Sequence, residues 1–220
     1  MTDVFWDVLS VDDQEAMAAA GTSRAYPTGS VVFHEGERST FAVVLRRGRL
    51  KLTTSSPEGR ELLIELRGEN ELIGELGVID DAPRSASAIA VERVEALTIP
   101  AAAFNDLLVE RGSISVAVLR LTASRLRQSG LRRLESGTSD VLVRLSRRLV
   151  ELVGDTAPRT DGVIEVMSPL TQQEMAEWIG VSRDAVVLAL RQLRENGAIE
   201  TGRRQIRIHD FELLKKIAEG

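Results

Sequence analysis

The residue pattern changes period at Gly112, and that change limits the chain more than any other feature. From Thr22 to Pro100 it reads as short runs of Val, Ile, Leu and Thr, punctuated by Gly29, Gly36, Gly48, Gly59, Gly68, Gly74 and Gly77. Turn residues every eight to twelve positions are the signature of many short strands in a sandwich or barrel-like roll. Candidate strands are 30–33, 41–46, 49–54, 61–66 and 86–99. The first twenty residues differ: Val4, Phe5, Val8 and Leu9 precede an Ala-rich stretch after Ser10, the pattern of short helices packed outside the roll. Beyond Gly112, Ile114, Ala117, Val118, Leu121, Leu126, Leu131 and Leu134 recur mostly at steps of three to five, with arginines between them. That spacing predicts one long amphipathic helix. Two periods in succession exclude an all-β or all-helical chain and give an α+β fold, with a jelly-roll-like β-roll first and helices after it.

The helix's stripe is wide enough to lie on the roll and also to meet a second copy of itself in a parallel seam; the simpler alternative is a helix serving only its own core. Ser136-Gly137-Thr138-Ser139-Asp140 then introduces helix-breaking and capping residues before Val141 resumes the pattern, which predicts a hinge at 136–140. The expected divisions are therefore 1–111 for the roll, 112–139 for the long helix and hinge, and 140–220 for a last domain. A chain of 220 residues with 43% hydrophobic and 28% charged residues has the composition of a folded, water-soluble protein. It contains no cysteine, which excludes disulfides, thiolate nucleophiles, cysteine-bound zinc and iron–sulfur clusters held by its own thiolates. The acidic N-terminus and the lack of any apolar run near 18 residues point to a cytoplasmic protein with neither export signal nor membrane span.

The last third carries a specific motif. Thr171-Gln172-Gln173-Glu174 has capping-box spacing and opens a helix that ends at Gly180. Ser182 opens a second helix, running through Ala185, Val186, Leu190 and Leu193 to Gly197. Joined by a tight Gly180-Val181-Ser182 corner, the two form a helix-turn-helix. Ala176 is small where the helices approach, and Val181 and Val186 plug the angle between them. Residues 199–208 alternate about a turn as a β-hairpin wing would, so the whole is a winged helix-turn-helix. Arg183, Asp184, Val187 and Leu188 then face outward near the start of a helix that can enter a DNA major groove. Arg183 can donate twice to guanine and Asp184 can accept from cytosine; the bland alternative is a solvated Arg–Asp pair. Leu188 offers an apolar contact or nothing. Gln172 and Gln173, with wing residues Arg203, Arg204 and Arg207, are candidates for phosphate contact, each weighed against a plain surface role.

In the first domain, residues 72–88 hold Gly74, Glu75, Arg84 and Ser85. A Gly lets backbone approach a ligand, a short helical turn near Glu75 presents amides, and Arg84 with Ser85 adds charge and a hydroxyl. That is a phosphate cradle with a carboxylate placed for a sugar hydroxyl. Gly-Glu-Leu and Arg-Ser taken singly would be a turn and a salt bridge.

With those residues in view, positions 20–220 resemble the CRP/FNR family of bacterial transcription factors, and Gly74-Glu75-Leu76 with Arg84-Ser85-Ala86 looks like the phosphate-binding cassette of its cyclic-AMP-receptor branch. The resemblance implies a cyclic-nucleotide-binding β-roll, a long dimerisation helix and a winged reader of palindromic DNA. Glu75 would hold the ribose 2′-hydroxyl, Arg84 the cyclic phosphate, and Ser85 with the Gly74 and Leu76 backbone would complete the cradle. Ser129 falls where the family bonds adenine through a Thr. Departures lie at Gly130, where a polar side chain would reach the partner's ligand, at Arg133 and Ser136 in the lower seam, and at Asp184 and Leu188 in place of Glu and Arg. The implied partners are double-stranded DNA, a second copy of the chain and RNA polymerase, with cyclic AMP as allosteric ligand; the alternative is another ligand, such as cyclic GMP or cyclic di-GMP, or none. His34 and His209 lie in different domains and make no haem site, and no metal-ligand cluster, P-loop or nucleophile–His pairing marks an enzyme. The rival of a module that controls a partner enzyme is opposed by the wing.

The net charge of −5 weighs against nucleic acid only when taken whole. Residues 1–110 carry 10 basic and 19 acidic side chains, residues 111–164 carry 10 and 5, and residues 165–220 carry 8 and 9. The acid belongs to the roll. With so little excess positive charge on the reader, non-specific DNA binding is expected to be weak and strongly salt-dependent.

Overall fold

The computed structural model describes residues 4–56, 61–138, 140–153, 159–160, 163–167, 170–202 and 205–220, of which 132–138, 159–160, 163 and 165–167 are described as backbone only. The chain divides into two compact units, Met1–Ser129 and Gly130–Gly220.

The first unit is a roll of two antiparallel four-stranded sheets. Its strands are β1 (Thr22–Tyr26), β2 (Val31–Phe33), β3 (Phe41–Arg47), β4 (Leu50–Ser55), β5 (Glu61–Arg67), β6 (Leu72–Ile73), β7 (Ser87–Ala90) and β8 (Val94–Pro100). One sheet runs β1-β8-β3-β6 and the other β2-β7-β4-β5. β3 is buried on both faces. Val43 and Leu45 enter a core with Phe33, Leu50, Ile73, Ala88 and Ala96. Ala42 and Val44 face a second core built with helical residues Phe5, Met17, Phe104, Ile114 and Val118. A strand covered on both sides reads as a continuous apolar run, as Phe41-Ala42-Val43-Val44-Leu45 does.

The helical layer consists of a 3-10 turn (Phe5–Val8), α1 (Val11–Ala20), α3 (Ala101–Glu110) and the start of α4 (Gly112–Thr138), while the short α2 (Glu75–Ile79) follows β6. The stretch 86–99, expected as one strand, is two strands in different sheets, separated at Val91-Glu92-Arg93. At that turn the Arg93 backbone oxygen packs against Gly48, 2.5 Å from where a Cβ would stand on that glycine at φ +83°, so position 48 must be glycine.

α4 also departs from expectation. Its helix continues through Ser136, Gly137 and Thr138, so three of the five residues expected as a hinge are helical, and residue 139 lies outside the described residues. Asp140 accepts from the Leu142 amide at 3.2 Å and so starts α5 (Val141–Val153).

The second unit contains α5, α6 (Gln172–Ile179), α7 (Arg183–Glu195), β11 (Ile199–Gly202), β12 (Gln205–Ile208) and α8 (Phe211–Glu219). Two further strands, β9 (Arg159–Thr160) and β10 (Val163–Met167), extend the wing into a sheet of order β11-β12-β10-β9. No described helix is long and apolar enough to cross a membrane.

Candidate functional site

The sequence 72–88 folds as a loop around one arginine. β6 delivers Gly74 in the left-handed region (φ +74°), and α2 begins at the next residue. A side chain at Gly74 would strike the Arg84 guanidinium, so glycine is required by space as well as by φ. Arg84 is only 4% exposed. Its Nη1 donates to the Gly74 carbonyl at 2.7 Å and its Nη2 to the Phe41 carbonyl at 2.6 Å. The guanidinium carbon lies 4.1 Å from the Phe33 ring centroid and 4.8 Å from that of Phe41. Backbone bonds tie this segment to the β2–β3 loop: the Arg84 amide donates to the Glu37 carbonyl and the Gly36 amide to the Arg84 carbonyl. Burial pushes the Arg84 pKa below its usual value, with Glu37 and Glu75 opposing the shift.

Glu75, 2% exposed, faces α4. Arg125 Nη1 donates to its Oε1 at 2.7 Å, and Arg125 Nη2 donates to the Leu72 carbonyl at 2.7 Å. Glu71 lies 3.7 Å from the same guanidinium and pairs with Arg67 at 3.1 Å, so charges alternate from β5 to α4. Burial lowers the Arg125 pKa; Glu75 and Glu71 counter this, whereas Arg67 adds to it. Gly74, Glu75 and Arg84 are thus brought together. Ser85 and Leu76 are exposed beside them, and Ser129, also exposed, stands four residues beyond Arg125 on the same helical face. The residues that the sequence did not reveal are Arg125, Phe33 and Phe41. Chemically, this is a buried carboxylate and a buried guanidinium, each held by the protein itself. A phosphate offers Arg84 a charged partner stronger than two neutral carbonyls.

In the second unit the helix-turn-helix corner forms as its residues dictate. Thr171 and Glu174 make the reciprocal capping box, Gly180 takes φ +69°, and the Ser182 hydroxyl accepts from the Ala185 amide. Val186, Ala189, Leu190 and Leu193 are buried, while Ser182, Arg183, Asp184, Val187 and Leu188 lie on the exposed side of α7. Among the described residues neither Arg183 nor Asp184 has a hydrogen-bond or ion-pair partner. Gln172 and Gln173 are exposed at the start of α6, and Gln173 donates to Glu177 at 3.0 Å. Further along α7, Arg191 pairs with Glu195 at 2.7 Å and Arg194 donates to Thr201 at 2.9 Å. Arg207 lies 3.8 Å from Glu200, itself 3.3 Å from His209. Arg203 and Arg204 fall outside the described residues.

Comparison with known proteins agrees with both halves. Residues 23–111 match the cyclic nucleotide-binding domain and residues 143–217 the Crp-like helix-turn-helix domain. A CRP-like cAMP-activated global transcriptional regulator of Mycobacterium tuberculosis is 31% identical over 193 residues, spanning 88% of this chain and 86% of that protein. The chain belongs to the CRP/FNR family. Another relative, the cyclic AMP receptor protein of Thermus thermophilus, is 28% identical over 200 residues, 90% of this chain and 88% of its own. The CRP/FNR fold is also shared with the cyclic-di-GMP-responsive regulator CLP of Xanthomonas campestris, at a TM-score of 0.75 and 21% identity over 91% of this chain and 99% of that one. This CRP/FNR protein is therefore a DNA-binding transcription regulator with a cyclic nucleotide-binding domain.

Proposed function

We propose that this regulator works as a homodimer in the cytoplasm, and that cyclic AMP bound to its roll sets its affinity for palindromic operators. The observation that carries the reading is Glu75: a buried carboxylate next to Gly74 and Arg84 whose ion-pair partner at 2.7 Å, Arg125, lies on α4. A ribose hydroxyl bonding Glu75 competes directly with that helix, so occupancy is felt where the protein dimerises. Arg84 takes the cyclic phosphate, the Gly74 and Leu76 backbone and Ser85 complete its cradle, and Ser129 meets the base. The divisions proposed are 1–111 for the nucleotide-binding domain, 112–139 for the dimerisation helix and 140–220 for the reader.

Dimerisation draws support from α4. Val116, Leu119, Ala123 and Leu126 follow a three-four-three spacing, and Leu119 and Leu126 are 68% and 74% exposed. That is a coiled-coil seam on the side away from the stripe of Ile114, Ala117 and Val118, which packs on the roll. The two copies of α7 then lie about 34 Å apart, one DNA turn. In each, Ser182, Arg183, Asp184, Val187 and Leu188 face the groove; Gln172 and Gln173, with Arg203 and Arg204 of the wing, meet phosphates. RNA polymerase is the further partner in this reading.

A second reading, control by another ligand or by none, is favoured by one observation: Arg84 and Glu75 already have partners within the protein itself. Calorimetric titration with cyclic AMP, cyclic GMP and cyclic di-GMP separates the two. The first reading expects heat with cyclic AMP and its loss in Arg84→Leu; unchanged affinity in that variant would sink it. Operator selection from random DNA with and without cyclic AMP tests ligand, spacing and base readout together.

A further inference from the structure

We infer that Val187 and Leu188 give this regulator its operator preference by reading thymine methyl groups. This rests on the proposal that α7 enters the major groove, and it names what the second turn of α7 recognises there. Both side chains point away from the protein: Val187 is 38% and Leu188 56% exposed, whereas Val186, Ala189, Leu190 and Leu193 carry the packing of α7 on its own unit. The apolar pair therefore lies outside the buried core and keeps surface free for a partner.

Its neighbours define what it can meet. Arg183 and Asp184, one turn earlier on the same two faces, have no partner among the described residues and are available to base edges. One turn later Arg191 is drawn back onto Glu195, and two turns later Arg194 onto Thr201. Between the available pair and the engaged pair, the reading face offers only Cγ and Cδ atoms. Of the groups that mark base identity on the floor of the major groove, all are hydrogen-bond donors or acceptors except one, the thymine 5-methyl. A Leu pressed against a donor or acceptor strips it of water and returns nothing, so adenine, cytosine and guanine edges are disfavoured by about tenfold where that contact falls. Against a thymine methyl the same Leu buries apolar surface on both sides. The pair thus selects for thymine by attraction and against the polar edges of adenine, cytosine and guanine by desolvation.

The test uses the full-length protein and the operator that emerges from random-sequence selection in the presence of cyclic AMP. Fluorescence titration compares that operator with one in which deoxyuridine replaces the half-site thymines, a change that removes only methyl groups. Wild-type protein is expected to bind the uracil operator about fourfold more weakly for each contacted methyl that is removed. In Leu188→Ala most of that difference disappears, and in Arg183→Ala both operators weaken together with their ratio preserved. Equal wild-type affinity for the two operators overturns the inference and leaves DNA reading by α7 intact. A selection that enriches no sequence overturns the DNA-reading proposal and this inference with it. If Leu188→Ala instead alters self-association in sedimentation and leaves the thymine–uracil ratio unchanged, the pair is a protein-contact surface and the inference is wrong.

Discussion

Two arginines do different work around the cassette. Arg125 neutralises a carboxylate that is nearly solvent-free, so its removal strands a buried charge. Arg125→Ala is expected to destabilise the first unit by about 3 kcal/mol, and adding Glu75→Gln should recover most of that loss. A double-mutant cycle on thermal unfolding reads the coupling, and additive effects would show that the pair is not a unit. Among the described residues, no carboxylate forms an ion pair with Arg84. It is held by two carbonyls and two rings, and its Nε has no partner. A hydrophobic replacement leaves two carbonyls without their donor but strands no charge: Arg84→Leu should melt several degrees below wild type and, in the proposed reading, bind cyclic AMP roughly 10- to 100-fold more weakly, since a charged hydrogen bond contributes about 1.5–3 kcal/mol. Differential scanning fluorimetry beside calorimetry separates the two effects. Gly74, Glu75 and Arg84 are legible because the cassette's spacing is unusual. Arg125 is not, because a lone arginine among the six others from Arg111 to Arg144 looks like any solvated helix position. Phe33 and Phe41 read only as strand residues.

At the scale of elements, α1 is fastened to the roll by Asp13. Its carboxylate accepts from Arg111 at 3.1 Å, and a hydrogen bond to Ser113, with smaller help from Ser10 and Arg111, holds its pKa below the usual value. A depressed acid contributes stability that is complete above its unfolded pKa, near 4, and vanishes as pH falls through the lower folded value. The melting temperature of wild type should therefore drop on acidification below about pH 4, while Asp13→Asn starts lower at neutral pH and shows a flatter profile; parallel profiles would refute the role. Strands with buried alternation or continuous apolar runs are readable, and β3, β4 and β5 stand within a residue or so of expectation. Three features that sequence missed, β1, β6 and the division of β7 from β8, share one cause, the lack of a local signal. β1 is an edge strand whose Thr22-Ser23-Arg24-Ala25 is largely exposed, β6 is two residues long, and β7 and β8 have no Gly or Pro between them. Likewise Ser136-Gly137-Thr138 stays helical although each residue disfavours a helix interior, since local propensity is a weak determinant at the end of a 27-residue helix.

For the whole molecule, charge and apolar surface are distributed unevenly, and function follows that distribution. The acidic half contains the cyclic nucleotide-binding domain; the reader is near neutral, so in the proposed reading specific binding leans on two copies acting together. Leu126→Arg, placed in the exposed seam of α4, is expected to yield monomers by sedimentation and to lower operator affinity by roughly a hundredfold or more, because a single half-site loses the benefit of its linked neighbour. Its cyclic AMP stoichiometry should stay at one per chain. A dimeric Leu126→Arg protein would place the seam elsewhere. The lodging of Arg84 between Phe33 and Phe41 finally bears on time rather than affinity. In the proposed reading, nucleotide cannot reach this guanidinium until it leaves its carbonyls and rings, so the rate of response is capped by that departure. Stopped-flow mixing should show an observed rate that levels off at high cyclic AMP, and Phe33→Leu should raise the plateau. In that reading the regulator answers no faster than one side chain can let go, however much signal is present.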